Sequence, residues 1–239
     1  MLTEVNLRII DKHLPAHRHP FRSFEDELTK EIRPTDIVLE IGCGRTAPLL
    51  VKFKARAQKL IGIELEPFVI TDRDLHLLNC SVSAMPGVPN ASVDIAYSRG
   101  VMEHVADIDG AYAEISRVLR PGGVYHFLTP NLWDYSTLIA NIVPNRFHGW
   151  IVRKTEGRDE EDTFPTFYRS NTRFAISKLA KAHGLEVDEF SYLGQYPSYL
   201  LFNNFLFDIG CRYEKFLESN NRLHFLMGWI LCRLRKPAR

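Results

Sequence analysis

Three features of the chain predict an α/β fold, doubly wound about a mostly parallel sheet. Short apolar runs recur at 37–41, 59–64, 75–80, 93–98 and 124–129. Segments with helical spacing of apolar residues separate several of them, and that alternation is the signature of strands joined by crossover helices. Glycines follow the first run directly, at Gly42 and Gly44, where a strand of such a sheet hands over to its helix.

Each element has its own reason. In residues 21–32, FRSFEDELTKEI, the residues Phe21, Phe24, Leu28 and Ile32 share one helical face. Ser23 is expected to cap that helix, with Asp26 three residues on, and Pro34 closes it. Ile37, Val38, Leu39 and Ile41 form a run of the kind buried on both faces of a parallel sheet. A helix is expected from about 47 to 57. The next strands are KLIGIE at 59–64, LHLLNC at 75–80 and VDIAYS at 93–98. A helix follows over 108–119. Pro121-Gly122-Gly123 predicts a turn, since proline stops the helix and glycine permits positive φ. VYHFLT, 124–129, is the fifth strand. A helix over 171–183, capped by Ser170 or Asn171, precedes a strand at 185–192.

Two regions break the rhythm. Residues 131–170 carry Trp133, Tyr135, Phe147, His148 and Trp150 and then the charged run EGRDEEDTFPTFYR. Loops of that length are functional or disordered, and the aromatics oppose disorder. This segment and the apolar helical stretch 197–218 are expected to be cap or lid insertions in a single domain, 1–239. The tail HFLMGWILCRLRKPAR has two readings, a basic amphipathic segment lying on a membrane or a final strand with Ile230, Cys232 and Leu234 on one face. The strand is preferred, and the apolar run is too short to span a bilayer.

Composition narrows the function classes. Hydrophobic content of 45% and charged content of 25% fit a globular protein with a full core. A net charge of +1 gives no general pull toward nucleic acid or anionic membrane. MLTEVNLRIIDKH does not read as a secretory signal, so a cytoplasmic protein is expected. The four cysteines, Cys43, Cys80, Cys211 and Cys232, contain no C-x-x-C spacing, so no metal is expected.

The residues around the first loop suggest a ligand. Without Cβ atoms, Gly42 and Gly44 let a ligand lie against the main chain. Glu64, at the tip of the second strand, is positioned to accept hydrogen bonds from both hydroxyls of a ribose. Ala47 stands where a dinucleotide fingerprint has its third glycine. That glycine serves close packing near a pyrophosphate, so a nucleoside without one fits better.

EIGCG, GIELEP, SVDIAYSRGVMEHV and EISRVLRPGG resemble, in order and spacing over 36 to about 130, the successive motifs of class I S-adenosylmethionine-dependent methyltransferases. They are similar to the branch that includes ubiquinone- and menaquinone-type small-molecule methylating enzymes. The resemblance implies a seven-stranded, Rossmann-like sheet with an antiparallel last strand. It implies S-adenosyl-L-methionine as cofactor and a small-molecule acceptor, with O-methylation favoured. It places Gly42, Cys43 and Gly44 beneath the ribose and methionine portion and Glu40 near the methionine end. Glu64 falls on the ribose and Leu65 on the adenine. Ser81, followed by Val82, stands where the family has an adenine-binding Asp. Ser98 ends strand four beside the reactive centre.

Glu103 and His104, expected at the start of the following helix, are candidates to orient the acceptor or remove its proton. A buried structural role for His104 stays open. In the long insertion His148, Glu156, Arg158, Asp162, Tyr168 and Arg169 are acceptor-side candidates, with His148 and Tyr168 foremost. Two rivals stand beside this reading. One is a nicotinamide-dependent oxidoreductase, opposed by the absent third glycine; the other is a non-catalytic member of the fold that binds cofactor or a partner protein.

Overall fold

The computed structural model describes residues 2–15, 19–142 and 164–238. His148, Glu156, Arg158 and Asp162 lie outside the described residues. The described chain clusters into two compact units. One comprises 1–23, 130–165 and 192–230; the other comprises 24–129, 166–191 and 231–239.

The larger unit holds a seven-stranded sheet. Its strands are β1 Ile37–Ile41, β2 Lys59–Glu64, β3 Leu75–Asn79, β4 Val93–Arg99, β5 Leu119–Pro130, β6 Glu186–Leu193 and β7 Trp229–Arg235. Their spatial order is β3-β2-β1-β4-β5-β7-β6. β1 pairs with β2 and β4 in parallel, β2 with β3, and β4 with β5. β7 is the antiparallel strand. Just past it, Gly122 N donates to Lys236 O at 2.8 Å and Lys236 N donates to Gly123 O at 2.9 Å, two residues of β5 opposite one, as in an antiparallel bulge with its first glycine left-handed at φ 82°. The tail is thus a strand, and Ile230, Cys232 and Leu234 are fully buried on one face. No helix among the described residues is long and apolar enough to cross a membrane.

The first two strands match their expected bounds because a continuous apolar run has sharp edges. Other bounds move. The expected turn at Pro121-Gly122-Gly123 lies inside β5, which starts at Leu119. The register against β4 shifts between Val93 and Ile95, and a Cβ on Gly123 would sit 2.9 Å from Arg120 O and 3.0 Å from Val93 O. The glycine there serves a bulge rather than a chain reversal.

α2, Pro20–Glu31, starts before Ser23, so Ser23 does not cap it. α3 is Pro48–Lys52 rather than a helix to 57, and Ala55 at φ 62° ends the helical path. α4, Ile108–Val118, is capped by the Asp107 side chain on Gly110 N. α6, Arg173–Ala182, is capped by Thr172 rather than by Ser170 or Asn171. Both of those side chains turn inward: Ser170 Oγ lies 2.7 Å from the Tyr112 hydroxyl, and Asn171 Nδ2 donates to Thr129 Oγ1 at 2.8 Å. Tyr97 of β4 packs edge-on against Phe24 of α2 and Phe53 after α3. Ser98, the next residue, faces the other way and bonds the Tyr125 hydroxyl at 2.6 Å, as the alternation along a strand requires.

The smaller unit is helical. Its elements are α1 Glu4–His13, α5 Tyr135–Ile142 and α7 Asn204–Glu218, with 3-10 turns at Ser198–Leu200 and Asn221–Leu226. Thr3 and Asn6 form a capping box at the start of α1. Leu14, Phe207 and Cys211 form its buried cluster, with Ile9, Ile10, Tyr196, Leu200 and Leu201 packed against them.

Candidate cofactor and acceptor site

The carboxyl ends of parallel strands are where open α/β sheets bind ligands. In the larger unit this edge gathers the Gly42–Gly44 loop after β1, Glu64 after β2, Ser81 and Val82 after β3, and Glu103 after β4.

Gly42 and Gly44 have φ of 68° and 72°, a left-handed conformation that a Cβ disfavours. At Gly42 the reason is also contact, since a Cβ would lie 2.4 Å from Val101 Cγ2. At Gly44 nothing lies within 4 Å of that position, which leaves the main chain open to a ligand. Cys43, between them, points into the core under Gly62.

Glu64 is oriented by the backbone. Its Oε2 accepts from Gly44 N at 2.8 Å and its Oε1 from Leu65 N at 2.8 Å. With a longer bond from Glu66 N to Oε1 at 3.4 Å, three amides hold the carboxylate at the strand tip, and Oε2 keeps a lone pair for a further donor. Asn79 Nδ2 donates to Glu66 O at 2.7 Å and pins the loop beyond. Leu65 is 64% exposed next to this carboxylate, an apolar side chain free to cover a ring. Ser81 Oγ pairs with Ser83 Oγ at 2.9 Å, and Val82 beside it is buried.

Two expected contacts have other partners. Glu40 is 5% exposed, accepts from the Tyr97 hydroxyl at 3.1 Å and takes the amide of Leu50 in the first turn of α3. Burial pushes its carboxyl up to about 8. The hydroxyl of Ser98 is fully buried against Tyr125. Ala47, at the third-glycine position, is itself left-handed, with φ 44° and ψ 49°.

Glu103 and His104 lie on a 3-10 turn, Met102–His104, rather than in α4. Glu103 is buried, and burial pushes its carboxyl up while Thr129 and the His104 imidazole oppose the shift. Thr129 Oγ1 donates to Glu103 Oε2 at 3.1 Å, and His104 Nε2 is 3.9 Å from Glu103 Oε1. The Glu103 carbonyl accepts from Phe167 N at 2.7 Å and Tyr168 N at 3.2 Å. Tyr168 has φ 49°, uncommon for a bulky residue and a mark of a constrained site. Burial, and then Glu103, push its phenol up against a pull from Thr166. The structure thus brings Glu103, His104 and Tyr168 together. The reading of the chain missed Thr129 and Asn171, which complete the relay Asn171–Thr129–Glu103. Thr129 had one signal, its place at the carboxyl end of β5; Asn171 had been read only as a helix cap.

Comparison with known proteins agrees with this edge. Residues 39–127 match the family described as a methyltransferase domain. A Mycolicibacterium smegmatis protein described as a probable S-adenosylmethionine-dependent methyltransferase is 29% identical over 64% of this chain and 62% of its own length. A malonyl-[acyl-carrier protein] O-methyltransferase of Serratia marcescens is 28% identical over 84% of this chain and 75% of that protein. The 24-methylenesterol C-methyltransferase 2 of Oryza sativa subsp. japonica is 24% identical over 72% and 48%. The chain therefore spans less than two thirds of the length of two of these three relatives. In fold it is similar to geranyl diphosphate C-methyltransferase from Streptomyces coelicolor A3(2), solved with S-adenosyl-L-homocysteine. The TM-score is 0.59 at 14% identity, covering 98% of this chain and 85% of that one.

Proposed function

We propose that this chain, which carries a class I S-adenosylmethionine-dependent methyltransferase domain, transfers a methyl group to a small-molecule acceptor, with an oxygen as the favoured methylated atom and an apolar or glycolipid-like acceptor as the favoured class. The observation that carries the cofactor half is Glu64, a carboxylate held by backbone amides beside a glycine whose Cβ position is empty. S-adenosyl-L-methionine fits these residues: Glu64 takes the ribose hydroxyls, Gly44 the close approach of the main chain, and Leu65 the adenine ring. It supplies a methyl on a cationic sulfur. What remains for the protein is to hold the acceptor in line, which is worth roughly 7 to 11 kcal/mol at best.

On the acceptor side Glu103 is the foremost candidate. Its carboxyl is buried and raised, which makes its carboxylate a stronger base than an exposed one. Thr129 orients it and Asn171 orients Thr129. Tyr168 and His104 stand next to it, and His148, in the insertion, is a further candidate. Segments 131–170 and 197–218 select the acceptor and exclude water in this reading. Hydrogen exchange tests that role: amides in both segments should gain protection with cofactor and acceptor together, and unchanged exchange would remove it. A broad affinity for anionic vesicles or nucleic acid forms no part of this reading, and a cytoplasmic setting does.

Calorimetry tests the cofactor. S-adenosylhomocysteine should bind and NAD should not. Glu64→Ala removes two charge-assisted hydrogen bonds, each roughly 1.5 to 3 kcal/mol, so affinity should fall at least about tenfold with the fold intact. Tighter binding of NAD than of S-adenosylhomocysteine would reject the methyl-transfer reading.

A further inference from the structure

We propose, on the S-adenosylmethionine reading of this edge, that Arg45 is a positioning residue for the adenosine half of the cofactor. It acts through the loop 65–69, which it fastens to the glycine loop.

Arg45 follows Gly44 directly and is exposed. Its carbonyl accepts from Val69 N at 3.0 Å, and its Nε donates to Pro67 O at 3.1 Å. Main chain and side chain of one residue thus hold two positions of the segment that leaves β2. A planar guanidinium donates in fixed directions, so the bond to Pro67 sets where the side chain lies across that segment.

The place of this fastening gives it a bearing on ligand binding. One residue earlier, Gly44 N donates to Glu64 Oε2 at 2.8 Å. Gly44 and Arg45 therefore tie the glycine loop to residues 64, 67 and 69 in turn. Leu65, the side chain assigned to the adenine, lies inside the tied stretch.

The other fastenings of the 65–74 segment lie at its two ends. Asn79 Nδ2 donates to Glu64 O at 3.3 Å and to Glu66 O at 2.7 Å at the start. Lys54 pairs with Asp72, and with Asp74 at 3.7 Å, at the far end. Arg45 holds the middle. The backbone so held carries Leu65 and Val69 outward, 64% and 59% exposed. A ring laid on Leu65 takes apolar surface out of water. If the loop is in place beforehand, that gain goes to affinity; if it is slack, binding must also order it. A residue that locks a contact side chain's backbone from behind is what makes the difference.

Arg56 supplies the comparison. It too is exposed and donates to a main-chain carbonyl, Thr29 O, at 2.6 Å. It lies three residues before β2 begins at Lys59, at the opposite end of the strands from the glycine loop. An arginine-to-carbonyl bond of the same chemistry is thus available where no cofactor contact is assigned.

Isothermal titration of the whole chain with S-adenosylhomocysteine and with 5′-methylthioadenosine tests the role. The second ligand keeps the adenosine and lacks the amino-acid end. Arg45→Ala should weaken both at least about threefold and by a similar factor. Arg56→Ala should leave both unaltered. The Arg45→Ala factor should persist at about 1 M sodium chloride, where exposed charges are screened beyond roughly 3 Å, because the bond goes to a neutral carbonyl. In the ligand-free chain, Arg45→Ala should speed hydrogen exchange of the amides of Leu65, Glu66, Phe68 and Val69 at least about threefold, with the β1 amides unaltered. Unaltered affinity for both ligands would overturn the proposal, whatever exchange does. So would a loss confined to S-adenosylhomocysteine, a loss that salt removes, or weaker binding with unaltered exchange. No binding of either ligand to the unaltered chain would reject the cofactor reading itself, and the role of Arg45 with it; normal binding that Arg45→Ala leaves intact rejects the role alone.

Discussion

Glu40 of β1 and Glu214 of α7 titrate alike and are built unlike. Both are buried, and burial pushes both up to about 8. Glu40 is embedded in partners, the Tyr97 hydroxyl and the Leu50 amide. Glu214 has none among the described residues for its buried oxygen, and two of the charges that raise it are carboxylates. The raised value therefore says nothing by itself about use. Satisfaction of the oxygens separates the two: Glu40 joins a strand to the helix that follows it, whereas the buried oxygen of Glu214 joins nothing among the described residues.

The sharpest way to break that contrast is truncation. Glu40→Ala strands the Tyr97 hydroxyl and the Leu50 amide and opens a cavity, so urea unfolding should show a loss of about 2–4 kcal/mol. Glu214→Gln strands nothing and should cost less than about 1 kcal/mol or stabilise. Equal losses would mean that partners do not distinguish the two sites.

Thr129→Val should have the next largest effect. It removes the donor to Glu103 and the acceptor for Asn171, so about 1–3 kcal/mol of stability should go. The pH profile of kcat/KM should move as well, since Thr129 opposes the upward shift of Glu103. A lower Tm with an unmoved profile would leave Thr129 purely structural.

Titration of stability comes third. In the folded state each of the two acids holds its proton to about 8, while the unfolded chain releases it near 4.5. The folded form thus binds more protons across that window, and stability falls as pH rises from about 4.5 to about 8. Glu40→Gln and Glu214→Gln should each flatten the fall, by on the order of 1 kcal/mol per pH unit. Urea midpoints at pH 5, 6.5 and 8 measure it; a slope unaltered in either variant would show that its carboxyl ionises freely.

The smallest effect is expected at Ala47. Its left-handed backbone carries strain that glycine relieves, offset by glycine's extra freedom when unfolded. Ala47→Gly should shift stability by less than about 1 kcal/mol either way and leave S-adenosylhomocysteine affinity unaltered.

Sequence legibility followed the same division between local and distant causes. β1 and β2 were readable to the residue because a run of apolar side chains buried on both faces ends where burial ends. The glycine loop and Glu64 were readable because their chemistry is local to two strand tips. Pro121-Gly122-Gly123 was misread, because glycine serves close approach as well as reversal, and only the pairing with β4 decides between them. The relay from Asn171 through Thr129 to Glu103 joins residues that are far apart in sequence, and no periodicity announces it. The inward turn of Glu214 was equally hidden: on a helix with apolar spacing, a glutamate reads as solvent-facing until the fold turns it inward.

The position of β7 bears on how the chain is made. β6 is synthesised before β7, yet among the described strands it neighbours only β7, which lies between it and β5. Until β7 has left the ribosome, β5 presents a bare edge and β6 has nothing to pair with. The β1–β4 half that carries the glycine loop can pair during synthesis, since all its strands are already out. A nascent chain would thus complete its Gly44–Glu64 edge while still offering an open strand to any neighbour, a window in which chaperone contact or mispairing between nascent chains is decided. Slow codons placed just before Trp229 would lengthen that window without altering a single residue.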